Sequence, residues 1–477
     1  MVHSSEPNRR DFLVKAGAVG TASFLSAVGR AGSISASEPP AFGPSKAKTS
    51  GESEFLLKSQ QLPAPDVRLP TDALPAPSGR KKRIAAITTA YWKYSHADDI
   101  ITKFIEGYGV VGRIHLPHCK VVSLYIEQFP KSDIGRGMAA RYGIPLFDKP
   151  AEALTLGGDQ LDVDGVLLIG EHGEFPLNSK GQKLYPRRRL FEEIVKVFRQ
   201  SGRSVPVFND KHLSWNWDWA KEMVETSKEL GFSFMAGSSL PVTRRMPAID
   251  MPLGGEVEEA LCVAVGGVDG YDIHALETIQ CMVERRRGGE TGVIQMQALI
   301  DDAVWDAMRR GSWNAGGWNP ELFQACLCRS QSLTPARKGF NHILPTPQQI
   351  PSLVKKPNRP VCYRYRHADG LKVTMLLLEG LVHDFTFAAK LKGQRKPLST
   401  LFQLQPREVC NFFSPLTHHI EQLFLTGKSP IPIERTLLTT GLTAAGVESL
   451  WRGQKELKTP HLAVRYQPQK ESTFWDF

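Results

Sequence analysis

The sequence has no long hydrophobic run and no closely spaced cysteine pair of the kind that binds metal. No apolar stretch reaches the roughly 20 residues that a membrane-spanning helix needs, so an integral membrane protein is not predicted once a signal is removed. The seven cysteines include no C-x-x-C pair, which excludes the common zinc and dithiol redox motifs. We expect most of the cysteines to be small buried residues. One disulfide is allowed, but the sequence does not assign its two cysteines.

The first residues have the features of an export signal. Asn8-Arg9-Arg10-Asp11-Phe12-Leu13 precedes a mildly apolar stretch, residues 14–28, and the small residues Ile34-Ser35-Ala36. Paired arginines followed by Phe-Leu resemble the twin-arginine signal, whose route carries folded proteins. An ordinary signal peptide with a chance arginine pair is the alternative. We predict a twin-arginine signal peptide over residues 1–36 and a periplasmic or otherwise extracytoplasmic protein.

Charge and composition are those of a globular protein behind a linker. Residues 37–80 contain eight prolines among Ser, Ala and charged residues, which predicts an extended Pro-rich linker. The whole chain carries a net charge of +10. Its basic runs, at 80–83, 187–189 and 285–287, come with no nucleic-acid motif. We interpret them as solvated faces and predict no nucleic-acid partner.

Short apolar runs alternate with amphipathic segments from Arg83 onward. The runs are short, nearly all apolar and often β-branched, which is typical of strands buried on both faces of a parallel sheet. They lie at residues 84–89, 121–126, 163–169, 205–208 and 232–236. Segments 190–198 and 220–230 between them have one apolar helical face. We predict an α/β fold that begins with a Rossmann-like, doubly wound parallel sheet at about residues 81–245.

The second half has a different pattern. Residues 361–365 and 372–378 predict two strands around the turn His367-Ala368-Asp369-Gly370. Residues 261–265 and 293–299 also predict strands, and 416–425 and 436–450 predict helices. We therefore expect an α+β domain with an open, mostly antiparallel sheet over residues 246–470, which would bind substrate or a second copy of the chain.

The loop after the first strand is the first candidate binding segment, because ligands of open parallel sheets lie beyond the carboxyl ends of strands. Tyr91, Trp92 and Ser95 are candidates for cofactor binding. Ser95 or Asp98 would cap the next helix, whose N-terminus favours an anion. The glycine-rich fingerprint G-x-G-x-x-G of a classical dinucleotide site is missing here. A bulky loop that fills the nucleotide site is the alternative.

The ends of the next two strands carry acids and a histidine. Glu127 follows the second strand, where a carboxylate accepts hydrogen bonds from ribose hydroxyls and favours NAD over NADP; a surface glutamate is the alternative. Glu171 and His172 follow the third and are predicted to contact ribose or substrate. A divalent metal with His212 or His274 as further ligands stays open, but the spacing is not diagnostic and no metal is predicted.

The fourth predicted strand ends in Asn209-Asp210-Lys211-His212. A lysine held at a strand end can polarise a carbonyl or orient a hydroxyl, and partial desolvation lowers its pKa. An ordinary exposed lysine is the alternative. Lys211 is therefore the candidate residue for orienting a substrate oxygen.

The order of several segments resembles the Gfo/Idh/MocA family of oxidoreductases. Ala140-Arg141-Tyr142-Gly143-Ile144-Pro145 is similar to the family's segment after its second strand. Asp210-Lys211-His212 stands where the family has Glu-Lys-Pro, and Gly270-Tyr271-Asp272-Ile273-His274 is similar to its D-x-G-x-H segment. Gly427-Lys428-Ser429-Pro430 lies in a stretch that is similar to its closing helix pair. The likeness spans about residues 83–465.

The resemblance implies a fold and a reaction. The chain would transfer a hydride between bound NAD or NADP and a hydroxyl or keto carbon of a sugar-like small molecule. Lys211 would orient the oxygen, and His274 would relay the proton with Asp272 beside it. The aspartate that the family has four residues before the histidine is Gly270 here. A homo-oligomer is a further expected partner, since a sheet with one open face often pairs with a second copy.

Two other functions stay open. A non-catalytic descendant of the same fold would bind a carbohydrate or a protein partner, with aromatic side chains filling the cofactor space. A metal-dependent lyase, isomerase or hydrolase would instead use acids and histidines at the strand ends. Its residues would be Glu171, His172, His212 and His274.

Overall fold

A computed structural model describes residues 79–110, 113–335, 344–354, 356–405 and 411–475. The twin-arginine segment predicted for residues 1–36 lies outside the described residues. Residues 37–78 of the predicted linker lie outside them as well. Both stay predictions. Among the described residues, no helix combines the length and the apolar composition required to cross a bilayer.

Parallel strands form the first half of the chain. The strands there are β1 (Lys82–Thr88), β2 (Tyr108–Val110), β3 (Arg113–His115), β4 (Cys119–Ile126), β5 (Leu146–Phe147), β6 (Gly165–Ile169), β7 (Val207–Asp210) and β8 (Phe234–Gly237). β2 and β3 pair as a separate antiparallel hairpin. The others lie in the order β5-β4-β1-β6-β7-β8, and each neighbouring pair is parallel. Counted along the chain this is the order 3-2-1-4-5-6 of a Rossmann sheet, which confirms the predicted fold class.

Helices cover both faces of this sheet, which explains why its strands are apolar on both sides. They are α1 (Lys103–Glu106, continuing a π-helical segment Asp98–Thr102), α2 (Gly135–Tyr142), α3 (Pro150–Thr155), α4 (Arg187–Ser201) and α5 (Trp217–Glu229). The predicted apolar face of α4 is buried at Leu190, Phe191 and Ile194. α4 ends at Gly202, whose φ of 57° gives the left-handed turn that stops a helix.

The second half is a mixed sheet. Its strands are β9 (Arg245–Met246), β10 (Val257–Ala264), β11 (Val293–Ile300), β12 (Val361–His367), β13 (Lys372–Leu377), β14 (Phe385–Leu391), β15 (Leu398–Phe402) and β16 (Leu457–Lys458). They run in the order β16-β11-β12-β13-β10-β14-β15-β9. Of the pairs described, β10 with β13 is parallel and the rest are antiparallel. The predicted open, mostly antiparallel sheet and its β12–β13 hairpin are confirmed.

Helices pack on both faces of the second sheet. The remaining helices are α6 (Asp272–Val283), α7 (Asp302–Arg310), α8 (Pro320–Arg329), α9 (Ile350–Leu353), α10 (Ser414–Thr426) and α11 (Ile433–Trp451). α6 and α11 bury Leu276 and Leu442 in one core with Met375 of the sheet. α7 and α8 lie in the core on the other face. The homo-oligomer was expected because a sheet with one open face often pairs with a second copy. Helices pack on both faces of this sheet, so that reason does not apply, and the homo-oligomer stays a prediction.

The chain returns to its first sheet near its end. α10 buries Leu416, Ile420 and Phe424 in the core formed by β1 and β4. The ring of Phe424 lies where a Cβ on Gly165 of β6 would be, at 2.5 Å from its Cδ1. The two sheets are thus joined by shared helices as well as by the connection after β8.

Two expectations about side chains are settled by burial. Five of the six cysteines in the described residues are buried, Cys328 is exposed, and all six are free. The interpretation of the basic runs as solvated faces is wrong for Arg187, Arg285 and Arg286, which are buried. Each has carboxylate or carbonyl partners that compensate the loss of water.

Candidate active site at the carboxyl edge of the first sheet

A buried ion pair joins the ends of β6 and β7. Glu171 lies two residues beyond β6 and Lys211 directly follows β7, so parallel pairing brings both to one edge of the sheet. Lys211 Nζ lies 3.0 Å from Glu171 Oε1, and each side chain is only 8% exposed. The alternative of an ordinary exposed lysine is therefore wrong. A carboxylate and an ammonium held away from water have been placed at the edge where ligands bind in such sheets.

Arg187 completes this cluster. It is the first residue of α4, is fully buried, and forms a second ion pair with Glu171 through Nη2. Burial acts to raise the pKa of Glu171, but the charges of Lys211 and Arg187 hold that pKa well below its ordinary value. A side chain at Gly170 would place its Cβ 2.7 Å from Arg187 Cγ. Gly170 thus provides the space in which the guanidinium reaches the carboxylate.

His212 lies beside the guanidinium and is held neutral. Its Nε2 is 3.3 Å from Arg187 Nη1 and accepts that hydrogen bond. Burial, and then the positive charge of Arg187, lower the pKa of His212 well below its ordinary value. Because Nε2 accepts, the neutral ring carries its proton on Nδ1, which is buried without a partner among the described residues and can donate a hydrogen bond.

Lys211 also contacts the second domain. Its Nζ donates to the backbone oxygen of Gly270, at 3.3 Å, in the loop that precedes α6. His274 stands in the first turn of α6, where burial and then the charge of Lys211 lower its pKa well below the ordinary value. His274 is therefore neutral near pH 7, and its Nδ1 is buried without a partner among the described residues. The two residues singled out from the sequence are brought into one cluster.

Asp272 lies at the start of α6 behind His274. Its carboxylate accepts hydrogen bonds from Tyr363 Oη, at 2.9 Å, and from the backbone N–H of Ile273. Burial raises the pKa of Asp272 to about 6 despite these donors. Asp269 is half-buried as a residue, and the desolvation of its carboxylate and the nearby Asp272 raise its pKa well above the ordinary value. Asp272 and Asp269 thus occupy the positions on either side of Gly270, where the family pattern has its aspartate.

A second acid–histidine pair lines the same edge. His96 Nδ1 lies 2.7 Å from Asp210 Oδ2, at the end of β7. The rings of His96 and Trp92 pack edge-on against His172, with centroids 5.1 and 5.0 Å away. Trp92 and His172 are therefore placed together at the edge of the sheet, beside the pair His96–Asp210.

Backbone strain is concentrated in these loops. Among the described residues, seven other than glycine have positive φ, and four of them are Tyr94, His172, Lys211 and Asp269. Such left-handed conformations cost on the order of 1 kcal/mol each and persist where the surrounding structure fixes them. The clustering of strained residues around Lys211 is typical of a functional site.

The loop after β1 uses its backbone N–H groups internally. Ser95 Oγ accepts from the N–H groups of Trp92 and Asp98, at 3.2 and 3.3 Å, as a helix cap. Asp98 in turn accepts from the N–H of Tyr94, at 2.8 Å. These are the donors that a glycine-rich turn offers to a pyrophosphate. This first-helix N-terminus is therefore filled by the chain's own oxygens and does not fit a phosphate group bound in the classical way.

Tyr91 and Glu127 are occupied by other contacts. Tyr91 is fully buried in the core, and its hydroxyl lies 2.7 Å from Thr102 Oγ1. Its backbone oxygen accepts from the N–H of Ile134, so the loop after β4 is bonded onto the loop after β1. Glu127 forms an ion pair with Arg189 at 2.6 Å on the surface. Both residues thus have structural partners at the places where cofactor contacts were predicted.

The metal alternative is not favoured by this arrangement. Among the described residues, Glu171, His172, His212 and His274 do not form a group with ligand atoms within 4.8 Å of one another. The Arg187 guanidinium already occupies the position beside Glu171 and His212. Because a second cation there would be repelled, the strand-end histidines are better suited to hydrogen bonding.

Several residues of the site were not found from the sequence. Tyr363 is 91 positions from its partner Asp272, Arg187 was taken as part of a solvated basic run, and His96 and Asp210 were not recognised as a pair. Arg187 could have been found by one signal: it is the first residue of a helix that follows the loop carrying Glu171. Cations are unusual at that end of a helix, so a buried acid partner is expected.

Comparisons with known proteins find similarity in structure alone. No family model matches the chain, and no curated protein does. A myo-inositol 2-dehydrogenase from Lactobacillus plantarum is 10% identical with a TM-score of 0.48, covering 80% of this chain and 99% of that one. An apo scyllo-inositol dehydrogenase from Lactobacillus casei is 9% identical with a TM-score of 0.47, covering 80% and 98%.

A third solved structure was determined with its ligands. It is a myo-inositol dehydrogenase from Lactobacillus casei in complex with NAD(H) and myo-inositol, 10% identical with a TM-score of 0.45, covering 79% of this chain and 96% of that one. At such identity the likeness concerns the fold and assigns no activity. All three are inositol dehydrogenases by name, and for this chain the family resemblance in the sequence stays an expectation.

Proposed function

We propose that this chain is an oxidoreductase of the Gfo/Idh/MocA type that acts on a hydroxyl or keto carbon of a sugar-like small molecule, with NAD or NADP as the hydride carrier. The observation that supports the proposal is the hydrogen bond from Lys211 Nζ to the backbone oxygen of Gly270, in the loop before the helix that carries the neutral His274. A fixed cation and a neutral base are the two groups that alcohol oxidation requires from a protein.

Unpaired polar atoms support a ligand with several hydroxyl groups. Buried side-chain atoms normally have hydrogen-bond partners. At this edge of the sheet, atoms with no partner among the described residues are Asn209 Oδ1, Asp210 Oδ1, His212 Nδ1, Asp269 Oδ1 and His274 Nδ1. Hydroxyl groups donate and accept, so a polyhydroxy compound is the chemistry that satisfies such a mixed set.

Each residue of the cluster has a separate part in the proposed reaction. Lys211 donates a hydrogen bond to the substrate oxygen and stabilises negative charge on it. His274 takes the hydroxyl proton at a ring nitrogen during oxidation and returns it during reduction. Glu171 keeps the ammonium of Lys211 in place, and Arg187 keeps that carboxylate charged. The nicotinamide, when bound, supplies the hydride chemistry.

A second function has an observation in its favour. The helix N-terminus after β1 is filled by Ser95 and Asp98, and Tyr91 belongs to the core. A chain that had lost its dinucleotide would retain the polar edge and bind a carbohydrate or a protein without catalysis. This second candidate predicts sugar binding that is independent of NAD or NADP.

One set of measurements separates the two functions. Isothermal titration of the purified chain with NAD⁺ and NADP⁺ is followed by a screen of inositols and aldoses at 340 nm. Under the first proposal a dinucleotide binds or co-purifies, and Lys211→Met and His274→Gln each lower kcat/KM at least about 100-fold. Lys221→Met, which removes an exposed ion pair with Glu225, serves as the matched control. Sugar binding with no dinucleotide binding would favour the second function.

We also propose export by the twin-arginine route, supported by Arg9 and Arg10 before Phe12-Leu13. Replacing both arginines with lysine should keep the chain in the cytoplasm without changing its activity. Equal amounts of exported protein with and without the replacement would contradict this route.

A further inference from the structure

Two histidines and a glutamate meet far from the residues of the proposed reaction. His115 ends β3, His118 follows in the turn before β4, and Glu421 lies in the middle of α10. His115 and Glu421 have no side-chain exposure, and His118 is 9% exposed as a residue. One ligand atom from each lies within 4.8 Å of the others. Segments some 300 residues apart along the chain thus converge on one buried polar cluster.

Two ring nitrogens of the cluster have no hydrogen-bond partner among the described residues. His115 Nε2 lies 2.8 Å from Glu421 Oε2, and the backbone N–H of His118 donates to Glu421 Oε1 at 2.6 Å. Tyr108 Oη also donates to Glu421 Oε2, at 2.8 Å. His115 Nδ1 and His118 Nε2 are buried and have no partner among the described residues. Two buried imidazoles, each with an unpartnered ring nitrogen, thus lie beside one buried carboxylate, and such groups are the usual ligands of a protein-bound metal.

We infer that His115, His118 and Glu421 bind a divalent transition-metal ion, with Zn²⁺ as the best fit. Two imidazoles and one carboxylate are a common protein donor set for zinc, with metal–ligand distances of about 2.0–2.2 Å. The donor atoms are already gathered to within 4.8 Å, so side-chain rotations bring them to one ion. A hard ion such as Mg²⁺ prefers oxygen ligands and fits this set poorly.

The Glu421 carboxylate is held by further hydrogen bonds, as carboxylate ligands of metals usually are. Tyr108 and the His118 backbone N–H donate to the Glu421 carboxylate and orient it. Because the ligands lie on the β2–β3 hairpin, the β3–β4 turn and α10, the ion would fasten the chain's return helix to the first sheet.

The site is tested with the full chain and Zn²⁺ or Co²⁺ alone as probes. We expect one zinc per chain by elemental analysis after purification without chelator. After chelation, Co²⁺ should give the d–d absorption of a four-coordinate ion, and Zn²⁺ should raise the thermal denaturation midpoint of the wild-type chain. These wild-type measurements do not depend on any variant folding. Absence of bound zinc together with no midpoint shift at 100-fold excess of Zn²⁺ would overturn the inference and leave a hydrogen-bonded His115–Glu421 pair.

Variants then assign the ligands. His118→Gln and Glu421→Gln should each weaken zinc binding at least 100-fold in titration calorimetry. His383→Gln, which changes an exposed histidine on another part of the chain, should leave it unchanged. Unaltered affinity in both His118→Gln and Glu421→Gln would place the metal elsewhere and contradict the assignment.

Discussion

Glu171→Gln is expected to destabilise the fold strongly because it removes the one anion between two buried cations. Lys211 Nζ lies 3.0 Å from Glu171 Oε1, and Arg187 pairs with the other carboxylate oxygen. Arg187 has no exposed side-chain area, and Glu171 and Lys211 have 8% each. Removing one partner of a buried pair costs about 3–5 kcal/mol. The folding equilibrium should therefore fall by roughly two to three and a half orders of magnitude, since about 1.4 kcal/mol is a factor of ten.

Guanidinium denaturation followed by circular dichroism at pH 7.5 measures this loss. The double variant Glu171→Gln/Lys211→Met removes one of the two uncompensated cations, so it should be more stable than Glu171→Gln alone. Glu229→Gln is the control, because Glu229 is 62% exposed in its ion pair with Arg199 and should cost under about 1 kcal/mol. If Glu171→Gln lost no more free energy of unfolding than the control, or if the double variant were less stable than the single one, the two cations would not be left uncompensated as described.

The pH dependence gives an independent check of the same prediction. The pKa of Glu171 in the folded chain is held well below its ordinary value by Lys211 and Arg187, against the effect of burial. A group with a depressed folded pKa contributes stability that is complete above its unfolded pKa, about 4.3, and is lost as pH falls toward the folded value. The difference between wild type and Glu171→Gln should thus stay constant from about pH 6 to 8 and shrink below about pH 4.

Three further changes probe the surroundings of the cluster. Burial raises the pKa of Asp272 to about 6, so its negative charge lowers the free energy of unfolding by up to about 3 kcal/mol above that pH and by nothing below about pH 4. Asp272→Asn should therefore raise the thermal midpoint at pH 8 but not at pH 4. An equal effect at both pH values would contradict this. Gly170→Ala places a Cβ 2.7 Å from Arg187 Cγ and should cost about 1–3 kcal/mol in denaturant unfolding, whereas Gly137→Ala, with nothing within 4 Å, should not destabilise. Ser95→Ala removes the acceptor of two backbone N–H groups and should cost about 0.5–2 kcal/mol by thermal denaturation; an unchanged midpoint would show that the cap contributes nothing.

The strands of the first sheet were predictable because each is apolar on both faces. All five predicted runs correspond to strands, and their ends differ from the prediction by at most two residues. The fourth run illustrates the reason. It was expected at 205–208 but is Val207–Asp210, because Asn209 and Asp210 are buried polar residues that continue the strand into the site. Polar residues in most strands lie at the surface, whereas at a functional edge of a sheet they are buried.

The candidate site was only partly predictable. Lys211 and His274 were found because strand ends and a family-like segment single them out, and each can be assigned without knowing the other. Arg187 was missed because three consecutive arginines look like a solvated face, and only the tertiary structure places the first of them against Glu171. Tyr91 was expected at a cofactor and lies in the core, since the same amphipathic side chain suits either environment.

The hairpin β2–β3 and its contact with α10 could not be predicted for a different reason. The strands are only three residues long, so no periodic pattern distinguishes them from a loop. Their partner Glu421 is separated from His115 by 306 positions. Interactions across such a separation leave no local signal in one sequence.

The return of α10 to the first sheet constrains the order in which the chain can reach its native state. Residues 414–426 supply apolar side chains to a core that includes residues of β1, β4, β6, β7 and β8, all of which are synthesised earlier. Synthesis proceeds from the N-terminus, so those strands wait for residues 414–426 before their core is complete. The core of the first sheet is therefore completed only after residues 414–426 have been made, and a nascent chain stalled before residue 414 should remain sensitive to protease in residues 82–237.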